Sequence, residues 1–157
     1  MKKILMICLG NICRSPLAAS ILRKKINESG IAAIVDSAGF EPYHIGDNAD
    51  GRTIEVARKN GVIINNHSAR LFSATDFDNY DHIYVMDQRN YRDVMFMARN
   101  QSDKQKVDYL MNTVSPGKNQ IIPDPYYGDG KDFDTVFKLM DQACTNIVKS
   151  FSANKDG

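Results

Sequence analysis

The sequence predicts an α/β fold: a single domain built on a doubly wound, four-stranded parallel sheet flanked by helices on both faces. Three observations predict it. Apolar runs of strand length alternate with segments patterned at helical spacing, which implies right-handed βαβ units. The first run, Ile4-Leu5-Met6-Ile7, is continuously apolar, as in a strand covered on both faces. Cys8, Asp36-Ser37 and Asp87 fall at strand ends, where such sheets bind ligands, and are expected on one rim.

Taken in order, the first strand is Ile4 to Ile7. Pro16 stands near the first position of a helix, where its missing N–H costs little. Leu17, Ala18, Ile21, Leu22 and Ile26 recur at helical spacing, and Gly30 stops that helix. Ala33 to Ala38 reads as the second strand, and Gly39 to Asn48 as a loop. A helix follows over Asp50 to Asn60, with Gly61 as its stop. Asn65 to Asp81 is irregular, with a helical turn near Thr75. His82 to Met86 is the third strand, Gln88 to Ala98 a helix, and Val107 to Leu110 a weaker fourth strand. Pro116, Pro123 and Pro125 mark 115–130 as loop. Phe133, Val136, Phe137, Met140, Cys144, Ile147, Val148 and Phe151 then share one stripe of a final helix. Residues 1–152 form the expected domain and 153–157 a polar tail that frays.

Composition narrows the function classes. The net charge is +1, with 43% hydrophobic and 25% charged residues, so nothing points to a nucleic-acid partner. No apolar run is long enough to span a bilayer, so no membrane partner is expected. Met1-Lys2-Lys3 followed by Ile4 to Leu9 superficially resembles a signal peptide. The run is broken by Gly10, Asn11 and Arg14 before any cleavage site near Ala18-Ala19. Three cysteines make no disulfide framework, which places the chain in the reducing cytoplasm.

The chemistry concentrates in Cys8-Leu9-Gly10-Asn11-Ile12-Cys13-Arg14-Ser15-Pro16, between a strand and a helix N-terminus. Free backbone N–H groups and the positive end of the helix dipole converge at such a junction and bind anions. They also favour the thiolate, the reactive form of cysteine, at Cys8. Gly10 lets the backbone curl around a tetrahedral anion, and Asn11 braces the curl. Arg14 offers a planar fork for two phosphate oxygens, a task lysine performs poorly. Ser15 offers a hydroxyl to the sulfur. A lone cysteine at a strand end is most simply packing, but Cys-x5-Arg-Ser in this setting favours phosphoryl transfer. The anion site comprises Leu9, Gly10, Asn11, Ile12, Cys13, Arg14 and Ser15, and needs no metal and no cofactor.

That nine-residue stretch resembles the signature of the low-molecular-weight protein tyrosine phosphatases almost residue for residue, at the same N-terminal position. The resemblance continues through Asp36-Ser37-Ala38, Asn66-His67-Ser68-Ala69-Arg70, Met86-Asp87 and Asp124-Pro125-Tyr126-Tyr127-Gly128. Classical tyrosine phosphatases usually carry histidine before the cysteine, where this chain has Ile7, and their acid precedes the nucleophile. The resemblance implies a phosphotyrosine-containing protein substrate and a cysteinyl-phosphate intermediate, with Cys8, Arg14 and Asp124 catalytic. It implies that Asn11, Ser15, Ser37, His67 and Asp87 form a hydrogen-bonded support behind the loop, and that Tyr43, Tyr126 and Tyr127 form the substrate rim. It also implies Tyr126 or Tyr127 as a phosphorylation site, hence a tyrosine kinase as partner, and a monomer or weak dimer.

Asp124 fits the acid role physically. Pro123 and Pro125 fix the loop around it, so the carboxyl is aimed at little entropic cost. Tyr126 and Tyr127 follow as aromatic walls of a slot deep enough for a phenyl ring. Cys13 stands five residues after Cys8, and a reversible disulfide between them would protect the nucleophile; a small packing residue serves equally as its explanation. Cys144 reads as core. His44 and His82 carry no signal. Two competing readings remain at this level. A thiol-dependent arsenate reductase of the same fold would need relay cysteines, and none lies between Cys13 and Cys144. A non-catalytic phosphate-binding module would need no placed nucleophile or acid loop.

Overall fold

The structure, a computed structural model, describes residues 1–126, 128 and 130–155. β1 (Lys2–Ile7), β2 (Ala33–Ala38), β3 (His82–Val85) and β4 (Val107–Tyr109) form one parallel sheet in the order β2-β1-β3-β4. β1 is therefore interior, paired with β2 on one side and β3 on the other. The chain winds outward from β1 in both directions, so the topological switch point opens beyond the carboxyl ends of β1 and β3.

Ile4, Leu5, Met6 and Ile7 are all fully buried, which explains the unbroken apolar run. Successive strand side chains face opposite sides, and these four serve two cores. Ile4 and Met6 join Leu17, Leu22, Met140 and Cys144 under α1 (Arg14–Ser29), α2 (Gly51–Lys59) and α6 (Gly130–Lys155). Leu5 and Ile7 join Phe72, Phe77, Ile83 and Val94 on the face covered by α3 (Asp76–Asn79) and α4 (Gln88–Met97). Each such buried side chain contributes about 1.5–3 kcal/mol.

Elements with strong local signals stand where expected. Gly30 caps α1 in the left-handed conformation, φ 67°. Asp50 caps α2 by accepting from the Arg52 N–H. Several boundaries differ, and β1 already begins at Lys2, two residues before its apolar run. α1 begins at Arg14, ahead of the apolar stripe, because the anion loop itself feeds its first turn. β3 stops at Val85 and β4 at Tyr109, where Leu110 starts a 3-10 turn. The short α5 (Gln101–Gln105) was not expected: it has no apolar stripe, and Asn100 caps it by accepting from the Asp103 N–H. α6 continues through Lys155, past Phe151, the last residue of the apolar stripe, and into the segment expected to fray. Among the described residues no helix is long and apolar enough to cross a membrane.

Candidate active site

Cys8 is the first residue past β1, and its N–H donates to Ala38 O at 3.3 Å, extending the β1–β2 ladder by one rung. The chain then turns tightly to reach α1 at Arg14. Three carbonyls of this turn are held from outside. Leu9 O accepts from Phe40 N at 2.7 Å and Glu41 N at 3.1 Å, and Ile12 O from Asp50 N at 2.8 Å. Asn11 O accepts from His67 Nε2 at 2.5 Å. With these carbonyls tied outward, the Asn11 N–H turns inward to Cys8 Sγ, and tight turns of this kind can present N–H groups to an anion.

The left-handed residue of the turn is Asn11, φ 56°, rather than Gly10. Asparagine tolerates that conformation better than most residues. Its side chain, 1% exposed, is fully used: Nδ2 donates to Ser15 Oγ at 2.8 Å and Ser37 Oγ at 2.9 Å, and Oδ1 accepts from Arg70 N at 3.0 Å. At Gly10 the crowding is with side-chain ends, which can give way. A Cβ there would stand 3.0 Å from Glu41 Oε1 and 3.1 Å from His44 Cδ2. Gly39 is tighter still, since a Cβ would fall 2.8 Å from Leu9 O and 2.9 Å from Asn11 N.

Cys8 Sγ lies 3.0 Å from Ser15 Oγ and accepts from Asn11 N at 3.3 Å. Because Asn11 Nδ2 already donates into Ser15 Oγ, the hydroxyl proton is free to point at sulfur. Arg14, 2% exposed, is aimed by Asp87 Oδ2 and Ile122 O, both 2.8 Å from Nη1. Its Nη2 lies 3.6 Å from Asp124 Oδ2. Asp87 also caps α4, accepting from Asn90 N at 2.9 Å, so one carboxylate ties a helix start to the guanidinium. Asp124 Oδ1 accepts from Tyr126 N at 3.0 Å, which holds the acid loop as a turn.

Cys8, Leu9, Gly10, Ile12, Cys13, Arg14, Glu41, Tyr43, His44, Asp124 and Tyr126 enclose one cavity of about 180 Å³. That is smaller than the roughly 300–1,000 Å³ of sites for drug-sized molecules, and suits one phosphorylated ring. Tyr43 stands at the mouth, 71% exposed, while Tyr126 is held under the Arg52 guanidinium, 5.4 Å from its ring centre. Tyr127 lies outside the described residues. Cys8 and Cys13 are both free thiols facing this cavity. Burial pushes the Cys13 thiol up to about 12, so it remains protonated. Burial also lowers His67, keeping it neutral, and Nε2–H is then the donor to Asn11 O.

The support expected from Asn11, Ser15, Ser37, His67 and Asp87 is present but divided. The first four brace the loop, whereas Asp87 braces Arg14. Asp36 leaves the expected rim altogether: one residue out of phase with Ser37, it accepts from Tyr80 Oη at 2.7 Å and lies 3.5 Å from Arg23. Cys144 is fully buried, its thiol toward Ala18 O, as the apolar stripe indicated. The sequence reading missed Gly39, Glu41, His44, the Ile122 carbonyl and the Arg70 amide. Only Gly39 carried a local signal, a glycine directly after a strand marking close backbone approach. The others reach the site through long-range pairing.

Comparison with known proteins supplies the context. The family model described as low molecular weight phosphotyrosine protein phosphatase matches residues 3–156. The chain is 37% identical over 153 residues to the low molecular weight phosphotyrosine protein phosphatase of Schizosaccharomyces pombe, covering 96% of this chain and 97% of that one. A protein tyrosine phosphatase from Entamoeba histolytica, solved with Hepes in its active site, superposes with a TM-score of 0.91. It is 35% identical, and 99% of each chain is covered. Wzb from Vibrio vulnificus, solved in complex with benzylphosphonate, gives a TM-score of 0.84 at 30% identity, covering 95% of this chain and 98% of that one.

Proposed function

Because the chain belongs to the low-molecular-weight phosphotyrosine protein phosphatase family, we propose that it removes phosphate from tyrosine side chains of proteins in two steps centred on Cys8. In the first, Cys8 Sγ attacks phosphorus, a sulfur–phosphorus bond forms and the phosphorus–phenolate oxygen bond breaks. Arg14 and the loop N–H groups hold the equatorial oxygens and absorb the negative charge that builds in the transition state. Asp124 gives its proton to the departing phenolate. In the second step Asp124 takes a proton from water, water oxygen bonds phosphorus, and Cys8 departs as thiolate. The Ser15 hydroxyl and Asn11 N–H receive that sulfur's charge.

One observation carries this reading. A sulfur with two donors, a buried guanidinium and a carboxyl 3.6 Å from that guanidinium converge on one small cavity. Charge is supplied by Arg14 and amides, and the mechanism calls on no metal or cofactor.

The test is hydrolysis of phenyl phosphate and p-nitrophenyl phosphate. Cys8→Ser should abolish both. Asp124→Ala should slow phenyl phosphate about 10²–10⁴-fold and p-nitrophenyl phosphate much less, since its leaving group needs little protonation. Equal slowing of both removes Asp124 from the acid role.

Around this core we place the catalytic domain in residues 1–152, with 153–157 a polar C-terminal tail. The reduced thiol that the chemistry needs supports a cytoplasmic setting. Tyr126, which lines the cavity, and its sequence neighbour Tyr127 make a tyrosine kinase a regulatory partner, and a monomer or weak dimer leaves the cavity open.

A further inference from the structure

Beside the catalytic cavity lies a second, wider groove of about 570 Å³, lined by Leu9, Glu41, Tyr43, Phe96 and Met97 among others. Phe96 is the most exposed large apolar residue among the described ones, at 91%. Packing of its own helix does not account for it. The buried residues of α4 are Asn90 and Val94, and Phe96, two positions past Val94, points about 200° around the helix from it. A lone exposed apolar side chain needs no explanation. Here, however, Phe96 meets exposed Pro42 and Tyr43 and half-buried Phe40 and Met97 along one concavity. A contiguous apolar patch of this kind marks an interaction site.

Its position suggests the occupant. Leu9, Glu41 and Tyr43 line both this groove and the catalytic cavity, so Tyr43 is a shared wall. A phosphotyrosine seated on Cys8 delivers its own backbone to that wall. Three extended residues span about 10 Å, so neighbours of the phosphotyrosine reach the groove with no other contact. The charges along it, Glu41 and Asp93 against Arg89, leave a single net negative charge, which selects only weakly against an acidic partner. Selection falls to the apolar component.

We propose that the Phe40–Tyr43–Phe96–Met97 groove is a specificity subsite that seats a large apolar side chain within three residues of the phosphotyrosine in the substrate polypeptide. This rests on the phosphatase reading above and adds the class of sequence that the enzyme prefers. Phe96 acts by positioning and takes no part in the chemistry.

The experiment compares phosphotyrosine peptides with an alanine background, each carrying one leucine at a position from three before to three after the phosphotyrosine. Wild type should favour one leucine position over the all-alanine peptide by about 10-fold in kcat/KM. F96S should reduce that preference to about 2-fold or less, F96L should restore it, and p-nitrophenyl phosphate turnover should be the same in all three. An equal leucine preference in wild type and F96S overturns the proposal, as does no preference in wild type. A shift of F96S from dimer to monomer with unchanged peptide preference assigns the groove to a second copy and also overturns it. If p-nitrophenyl phosphate is not hydrolysed by wild type, the phosphatase reading fails instead. The groove is then judged by the affinity of the same peptides for Cys8→Ser with and without F96S.

Discussion

Three cysteines of one chain face three different fates because their surroundings differ. Cys8 has a hydroxyl and an amide pointed at its sulfur. Cys13, five residues further on, is pushed up to about 12 by burial, and full burial also raises Cys144. Thiolate is the reacting species, so brief iodoacetate treatment near neutral pH should alkylate Cys8 alone and abolish activity. Peptide mapping that finds Cys13 labelled at a comparable rate would overturn this ordering. Asn11 is the other residue on which the cradle depends. Asn11→Ala leaves buried Ser15 and Ser37 and the half-buried Arg70 amide each short of one partner. Each such loss costs about 1–3 kcal/mol. The variant should unfold at lower denaturant and lose kcat more than substrate affinity, as steady-state kinetics beside a urea titration will read.

At the scale of elements, the site is a junction between ends. The β1 terminus supplies Cys8, the α1 start supplies Arg14, the α4 cap supplies Asp87, and the loop after β2 closes over the turn. Gly39 decides whether that loop fits. Its φ is not left-handed, so backbone strain is not the issue; the missing side chain is. Gly39→Ala forces a Cβ against Leu9 O and Asn11 N at 2.8 and 2.9 Å, both backbone atoms that cannot rotate away. The anion loop must shift, and a displacement near 1 Å costs about 10²-fold in rate. The expected result is a folded protein with unchanged far-UV circular dichroism and kcat on p-nitrophenyl phosphate lowered by at least about 10-fold. Full activity would show that the β2 loop moves independently of the cradle.

For the whole molecule, acid sensitivity follows from two half-buried histidines. Burial lowers both His67 and His82, with the Lys2 charge adding to the effect at His82 and the Asn11 carbonyl opposing it at His67. The unfolded chain, with histidines near 6.5, then binds protons that the folded chain does not. Stability rises with pH wherever the unfolded state holds more protons. The contribution is complete above about 6.5 and is lost as pH falls through the lower folded-state values. Thermal melts should therefore drop between pH 7 and pH 5.5, and His67→Gln, which keeps a donor toward Asn11 O, should flatten that slope. An unchanged slope would remove His67 as a cause.

Much of this protein was already determined along the chain. The continuous apolar run of β1, the helical stripe of α6, Gly30 and Asp50 as caps, and the Cys8-to-Pro16 motif are local statements, and local propensity and burial agree at each. Asp124 between two prolines was legible for the same reason. Tertiary structure decided the rest. It put the left-handed turn on Asn11, split the support between loop and guanidinium, brought Glu41 and His44 to the cavity, and set Gly39 against the loop and the Ile122 carbonyl against Arg14. Those residues share no period or spacing with Cys8. Only parallel pairing of β1 with β2 and β3 makes them neighbours, and pairing over such separations leaves no mark in either segment alone.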